Sequence, residues 1–378
     1  MSKDIHKKKH LSSFQLIILG FASVILLGAI ILMLPVSSAE GVITPFNQTL
    51  FTSTSAVCVT GLAVLDTGSY WSVFGQVVIL LLIQIGGLGV VTVAVSVFML
   101  SGRKISLMQR STMQNAISAH KVGGIVRLTK FILKGTLFIE MAGALALLPV
   151  FYHDFGRKGI WMAVFHSISA FCNAGFDILG NNSMVPYVGN VWINLVICGL
   201  IIAGGLGFVV WIDLRLSLIH YREHFKYFKM KRYLESLSLH TKIALISTFV
   251  LIFGGMTVIF ILEFQNPLTL KSLPFSQKIL ASFFQSVTLR TAGFATVDMA
   301  SLHQATKFFM SIIMFIGGSP AGTAGGVKTV TFVIGLLYVR ALMRGDENIH
   351  VFKRTIDDQI VKRALTIMLI SFAIALTG

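Results

Sequence analysis

Seven long apolar runs organise the chain, at about 14–35, 73–100, 129–151, 188–212, 243–264, 304–338 and 362–378. Several reach the roughly 20 residues that a helix needs to cross the hydrocarbon core of a bilayer. The connections between them alternate in character. One set is basic and carries Arg103, Lys104, Arg110, Lys121 and Arg127; then Arg215, Arg222, Lys226, Lys229, Lys231, Arg232 and Lys242; then Arg340, Arg344, Lys353, Arg354, Lys362 and Arg363. Lys and Arg collect on the cytoplasmic side of membrane proteins, so these connections and the basic N-terminus, Lys3 to His10, are expected in the cytoplasm. The first run is too long for a typical signal-peptide core and is read as a helix.

The other connections each hold a short amphipathic stretch that ends in a glycine motif: Phe51 to Gly61, Phe165 to Gly175 and Phe283 to Gly293. Each Phe stands ten positions before its Gly, and Leu62, Phe176 or Phe294 follows. Gly61 and Gly175 are 114 positions apart, and Gly175 and Gly293 are 118. A glycine pair recurs downstream as Gly86-Gly87, Gly204-Gly205 and Gly317-Gly318. The unit is therefore helix, half-crossing loop, helix, repeated around a shared axis. The expected layout is a cytoplasmic 1–13, repeat 1 over 14–100, repeat 2 over 129–213, repeat 3 over 243–340, and the first helix of a fourth repeat over 362–378.

Non-helical backbone at membrane depth is tolerated only inside protein or along a water-filled cavity. Glycine permits the backbone angles that turn successive carbonyls towards one axis, and rings of carbonyls can replace the hydration shell of a cation. Asp66, Asp177 and Asp298 lie just beyond the glycines, where they either draw cations to a pore mouth or cap turns.

Composition supports the membrane class. The 378 residues are 55% hydrophobic and 12% charged, with a net charge of +16. That charge needs no nucleic-acid partner, because topology accounts for it. The three cysteines, Cys58, Cys172 and Cys198, suggest no disulfide framework, and no Cys/His cluster has metal spacing. No His-Glu-x-x-His or Ser/His/Asp set points to an enzyme. A secondary transporter would show paired broken helices around a charged midplane site; here one break is evident, from Gly317 to Lys328.

Val-Thr-Gly-Leu, Asn-Ala-Gly-Phe and Arg-Thr-Ala-Gly-Phe, each between two membrane helices, resemble the filters of the Trk/Ktr/HKT superfamily of potassium transporters. The resemblance covers essentially the whole chain. It implies an all-α polytopic fold of four pseudo-equivalent helix–loop–helix units around one pore, a homodimer, and a cytosolic ring of nucleotide-binding regulatory subunits. It implies K+ held by the backbone of Cys58, Val59, Thr60 and Gly61, of Cys172, Asn173, Ala174 and Gly175, and of Arg290, Thr291, Ala292 and Gly293, with Na+ as a stimulating ion to be tested. It makes the Gly-rich segment, with Gly317, Gly318, Gly322, Gly325, Gly326 and Lys328, an intramembrane gate; close helix packing is the plainer alternative. A fourth filter glycine falls near ~410 by the repeat, so the sequence is read as partial, the alternative being a pore completed by another chain.

Other residues carry smaller expectations. Glu140 is deep enough to pair with a neighbour or to act in function, whereas Glu263 is expected to reach the interface. His166 is read as a packing histidine. Arg290 is expected to point away from the ion path and to pair with an acid behind the filter. Glycine pairs 86–87 and 204–205 are read as packing positions in uninterrupted helices, and the aromatic and basic stretch from Arg215 to Lys242 as a membrane-surface or partner-docking segment.

Overall fold

The structure is a computed structural model that describes residues 12–90, 92–93, 125–180, 183–224, 230–346, 349–352 and 354–377. The basic N-terminal stretch, Arg103, Lys104, Arg110, Lys121, Lys226, Lys229 and Lys353 lie outside the described residues, as does the end of the 73–100 run.

The elements follow the order helix, short helix, helix three times over. They are α1 (Ser13–Met33), α2 (Phe46–Val57) and α3 (Val73–Leu88); α4 (Ile125–Phe155), α5 (Lys158–Phe171) and α6 (Val191–Leu206); then α7 (Phe208–His224), α8 (Met230–Ser236), α9 (Leu239–Glu263), α10 (Phe275–Thr288), α11 (Gln304–Phe315) and α12 (Thr329–Arg344). A two-residue hairpin, β1 (His350–Val351) with β2 (Arg354–Thr355), leads into α13 (Asp358–Thr377). Polar caps set several starts: Ser12 Oγ accepts from Gln15 N and Gln15 Oε1 from Ser12 N, a reciprocal cap, and Ser72, Asn190 and Ser238 cap α3, α6 and α9.

The packing inverts that of a water-soluble protein. Ser53, Ser167, Ser169 and Ser286 on the short helices are buried, while Ile18, Leu27, Phe138 and Phe249 on the long helices face outwards. Such an apolar exterior is stable against lipid tails and not against water. Among the described residues, four helices are long and apolar enough to span a membrane: Gln15–Met33, Leu128–Phe155, Leu239–Glu263 and Asp358–Thr377.

One contact recurs in all three units. The hydroxyl of Ser53 donates to Ile25 O at 2.7 Å, Ser167 to Glu140 O at 2.6 Å, and Ser286 to Ile252 O at 2.6 Å. Gly28, Gly143 and Gly255, three residues on, leave space for that serine. A short polar helix inside a membrane protein must satisfy its hydroxyls internally, and here each is anchored on its own long helix. The second and third short helices also pack on the last helix of the preceding unit, α5 on α3 and α10 on α6.

The 73–100 and 188–212 runs are not uninterrupted helices. α3 stops at Leu88 and α6 at Leu206, each followed by a glycine at φ +82 or +86, Gly89 and Gly207. With ψ of 132 and 145, that conformation is open to glycine and hardly to any L side chain. After Gly207 the chain turns by 90° into α7. The third break is the one expected: α11 ends at Phe315 and α12 begins at Thr329.

In the 215–242 stretch, Tyr221 is buried and packs edge-on against Tyr233, whose hydroxyl donates to Leu214 O. These two tyrosines hold α7 to α8. Phe225, Tyr227 and Phe228 are outside the described residues.

Candidate functional site

The three short helices point their C-terminal ends at one place. A Cβ on Gly61 would sit 2.5 Å from Ala174 O and 3.1 Å from Gly175 Cα; one on Gly175 would sit 2.6 Å from Ala292 O and 2.7 Å from Gly293 Cα. Gly61, Gly175 and Gly293 therefore adjoin backbone to backbone, and Gly175 stands between the other two.

The strands leading to them share a conformation that the glycines alone do not explain. Two positions before each glycine a non-glycine residue lies in the left-handed region: Val59 at φ +56, Asn173 at +57 and Thr291 at +62. The glycines follow at +75, +71 and +84. Alternation between right- and left-handed residues turns successive peptide oxygens to the same side of a strand. For the β-branched Val59 and Thr291 this conformation is an outlier that costs about 1–3 kcal/mol. It persists because the next amide is pinned: Thr60 N donates to Ser55 O at 2.9 Å, Ala174 N to Ser169 O at 2.8 Å, and Ala292 N to Thr288 O at 2.9 Å. Ser169 and Thr288 also donate their hydroxyls past the turn, to Phe176 O and Phe294 O.

With the amides turned back, the oxygens are left over. Among the described residues, no hydrogen bond is made to the carbonyls of Thr60, Gly61, Ala174, Gly175, Ala292 or Gly293. Ala174, Gly175 and Ala292 are buried, where carbonyls are nearly always paired, so their free oxygens form an acceptor site that continues at the more open Thr60, Gly61 and Gly293. Its partner must be a donor or a cation.

Behind the second strand, Glu140 is buried and accepts from Gln84 Nε2 at 3.0 Å, with Cys172 Sγ 3.9 Å away. It links α3 to α4 directly behind the strand. Arg290 has the corresponding place in the third strand and differs from expectation. Its side chain is buried, and Nε, Nη1 and Nη2 make no hydrogen bond among the described residues. The recurring serine contact shows why the expected acid is missing: the counterpart of Glu140 beside Arg290 is Ile252.

His166 is a satisfied buried histidine, as expected. Nδ1 lies 2.7 Å from Met162 O, and Nε2 accepts from Ile178 N, so the proton sits on Nδ1. Glu263, the last residue of α9, is buried within the protein. Its carboxylate accepts from Asn266 Nδ2 and Thr269 Oγ1 at 2.7 Å, from His303 N at 2.9 Å and from Thr306 Oγ1. It caps the N-terminus of α11 from the end of α9.

The three acids beyond the glycines all hold turns. Asp66 accepts from Ser69, Asp177 from Leu179 N and Asp298 from Ala300 N. Burial pushes the Asp177 carboxyl up from 3.8 to about 6, and the charge of Asp66 adds to the shift, against the Ser183 and Leu179 hydrogen bonds. Asp298 is held below the usual carboxylate range by the Ser301 hydroxyl.

On the opposite side of the glycines lies the 316–328 segment. Its two ends pair, Gly317 N to Val327 O at 3.0 Å and Thr329 N to Gly318 O at 2.9 Å. Its middle fills the break after α6: Ser319 N donates to Gly205 O, Thr323 N to Gly204 O, and Phe208 N to Ala321 O. Gly322 packs on Gly204 O and Gly205 O, and Gly326 on Gly317. Lys328 Nζ donates to Ala324 O at 2.6 Å and, with Gly86, Gly89 and Thr323, lines a cavity of about 190 Å³ under the strands.

A family profile described as "TrkH: Cation transport protein" matches residues 7–377. The chain belongs to the TrkH cation transport protein family. Among TrkH-family relatives, the potassium/sodium uptake protein NtpJ of Enterococcus hirae is 40% identical over 98% of this chain and 79% of its own length. The Ktr system potassium uptake protein B of Bacillus subtilis is 41% identical over 96% of this chain and 78% of its own. The crystal structure of the potassium transporter TrkH from Vibrio parahaemolyticus superposes with a TM-score of 0.68 over 96% of this chain and 70% of that one, at 18% identity, which establishes the fold. The all-α, multi-helix membrane architecture of the TrkH family is thus the architecture of this chain, and its relatives are named as cation transporters, not as enzymes.

Proposed function

We propose that this chain is the ion-conducting membrane subunit of a potassium uptake system. The unpaired carbonyls of Thr60, Gly61, Ala174, Gly175, Ala292 and Gly293, on strands that meet at Gly175, carry this reading. Together with Cys58, Val59, Cys172, Asn173, Arg290 and Thr291 they form a filter that exchanges the water around K+ for peptide oxygen. The three short helices aim the negative ends of their dipoles at the same point. The names of the Enterococcus and Bacillus proteins support K+ as the cargo, and the former supports Na+ as a second ion.

The segment with Gly317, Gly318, Gly322, Gly325, Gly326 and Lys328 is the gate. It lies across the path beneath the strands, and the Lys328 ammonium opposes a cation there. The protein sits in the plasma membrane with its N-terminus and basic connections in the cytoplasm. It works as a homodimer above a ring of cytosolic nucleotide-binding subunits, for which the system name of the Bacillus relative is the support. Transport runs down the ion's electrochemical gradient.

Expression of the full-length protein with its cytosolic partner in cells that lack potassium uptake is expected to restore growth at low potassium. Absence of rescue with correct membrane insertion contradicts the reading. A second reading, secondary transport of another cation or solute, gains from the paired breaks at Gly207 and 316–328, since half-helix ends are common substrate sites. It places the ion among those ends, so substitution at Gly175 would spare binding.

Asp177 gives the outer mouth a pH dependence. Because its folded value is raised, the folded protein holds the extra proton between about 4 and 6, and stability falls slightly as pH rises through that window. Above it the carboxylate is charged and gathers cations. Uptake is expected to drop roughly twofold or more as external pH falls from about 7.5 to about 5.5, and Asp177→Asn should flatten the profile. An unchanged profile in that variant rules Asp177 out as the sensor.

A further inference from the structure

The 316–328 segment is bonded to the strands by side chains as well as packed beneath them. Thr323 Oγ1 lies 2.9 Å from Phe171 O and 3.2 Å from Asn173 Oδ1, its single proton shared between them. Asn173 Nδ2 in turn donates to Arg290 O at 3.1 Å. A separate bond runs from Gly325 N to Thr291 Oγ1 at 2.8 Å. Both strand residues in this set, Asn173 and Thr291, are held at positive φ. Thr323, Asn173 and Arg290 are all buried, so water does not replace a lost partner cheaply.

We propose that Thr323, Asn173 and Thr291 form a latch that couples the position of the 316–328 segment to the shape of the second and third strands. The inference rests on the filter and gate reading above. A left-handed non-glycine residue is stable only where its surroundings over-determine it. The segment supplies part of that constraint, because Thr323 orients the Asn173 amide and Gly325 holds the Thr291 hydroxyl. Withdrawal of the segment frees both side chains, and their backbones are then drawn towards ordinary φ. That rotation turns the Asn173 and Thr291 carbonyls off the axis. Coupling of this kind is reciprocal. A cation that orders the strands also favours the segment in place, and a displaced segment loosens the strands. Asn173 and Thr291 thus act as positioning residues through their side chains, while their backbones face the ion.

The test is uptake of radioactive rubidium and sodium into proteoliposomes holding the full-length protein. Thr323→Val keeps the shape and removes the hydroxyl; Thr323→Ser keeps the hydroxyl and serves as the rescue. With Val, rubidium uptake is expected to rise about fivefold, the shift for one bond of about 1 kcal/mol, and the rubidium-to-sodium ratio to fall by a similar factor. Ser should match the wild type in both. Thr291→Val, which removes the acceptor for Gly325 N, should show the same paired change and stands in if Thr323→Val does not give a monodisperse protein. A rise in uptake with an unchanged ratio overturns the latch while leaving a gate. No change in either quantity overturns it too. Wild-type vesicles that take up no rubidium remove the underlying filter reading itself.

Discussion

Cells that depend on this protein for potassium and carry Gly175→Ala are expected not to grow at low potassium, with the variant present in the membrane at wild-type amounts. Gly175 is the middle of the three adjoining glycines. A Cβ there meets Ala292 O at 2.6 Å and Gly293 Cα at 2.7 Å, both backbone atoms of the neighbouring strand. The residue also sits at φ +71, which costs an L side chain about 1–2 kcal/mol. Neither strain has a flexible side chain to absorb it, so the third strand must move. Because the carbonyls of Ala174 and Ala292 face the same axis, that movement breaks the ring instead of widening it evenly. Gly61→Ala is expected to act the same way through the contact with Ala174 O. Growth of the Gly175 variant at wild-type rate would show that cation passage does not depend on this junction. Rubidium tracer uptake into vesicles separates loss of transport from loss of expression.

The second large effect falls on stability and leaves the ion path alone. Glu263→Gln is expected to lower the melting temperature of the detergent-solubilised protein by more than about 5 °C. The four groups around the carboxylate, Asn266 Nδ2, Thr269 Oγ1, His303 N and Thr306 Oγ1, are all donors. An amide offers one acceptor oxygen and turns a donor NH2 towards groups that need an acceptor. Leaving buried donors unpaired costs about 1–3 kcal/mol each, and loss of the charge removes the cap on α11. Glu263→Asp keeps the charge on a shorter stem and should fall between. A melting temperature within about 1 °C of wild type in Glu263→Gln would mean that the cluster is not what joins α9 to α11.

Much of the site could be read from the chain because it is built from backbone, and its closest backbone approaches fall at glycines. The spacing of Gly61, Gly175 and Gly293 announces three equivalent turns, and the short polar stretches before them announce half-crossing helices. Of the left-handed Val59, Asn173 and Thr291, only Asn173 is of a residue type that visits positive φ with any frequency, and nothing in a β-branched side chain signals it. Their conformation comes from amides pinned by Ser55, Ser169 and Thr288, a tertiary constraint. The breaks at Gly89 and Gly207 hid inside hydropathy, which reports compatibility with lipid and not continuity of the helix. A signal was present all the same: Gly86-Gly-Leu-Gly89 and Gly204-Gly-Leu-Gly207 are the same tetrad at matching places. Arg290 and Glu263 show the limit of reasoning about charge one residue at a time. The acid expected beside Arg290 stands one unit earlier as Glu140, and the partners of Glu263 come from as far as Thr306.

Everything proposed for transport depends on peptide oxygens from three strands meeting around a dehydrated cation. Anomalous scattering from crystals of the full-length protein grown with thallium or rubidium tests this most directly. The expected result is heavy-ion density on the axis beside Gly175, within coordination distance of the Thr60, Ala174 and Ala292 carbonyls. Ions found only at Asp66, Asp177 and Asp298 or in the break after Gly207, with the axis beside Gly175 empty, would contradict it.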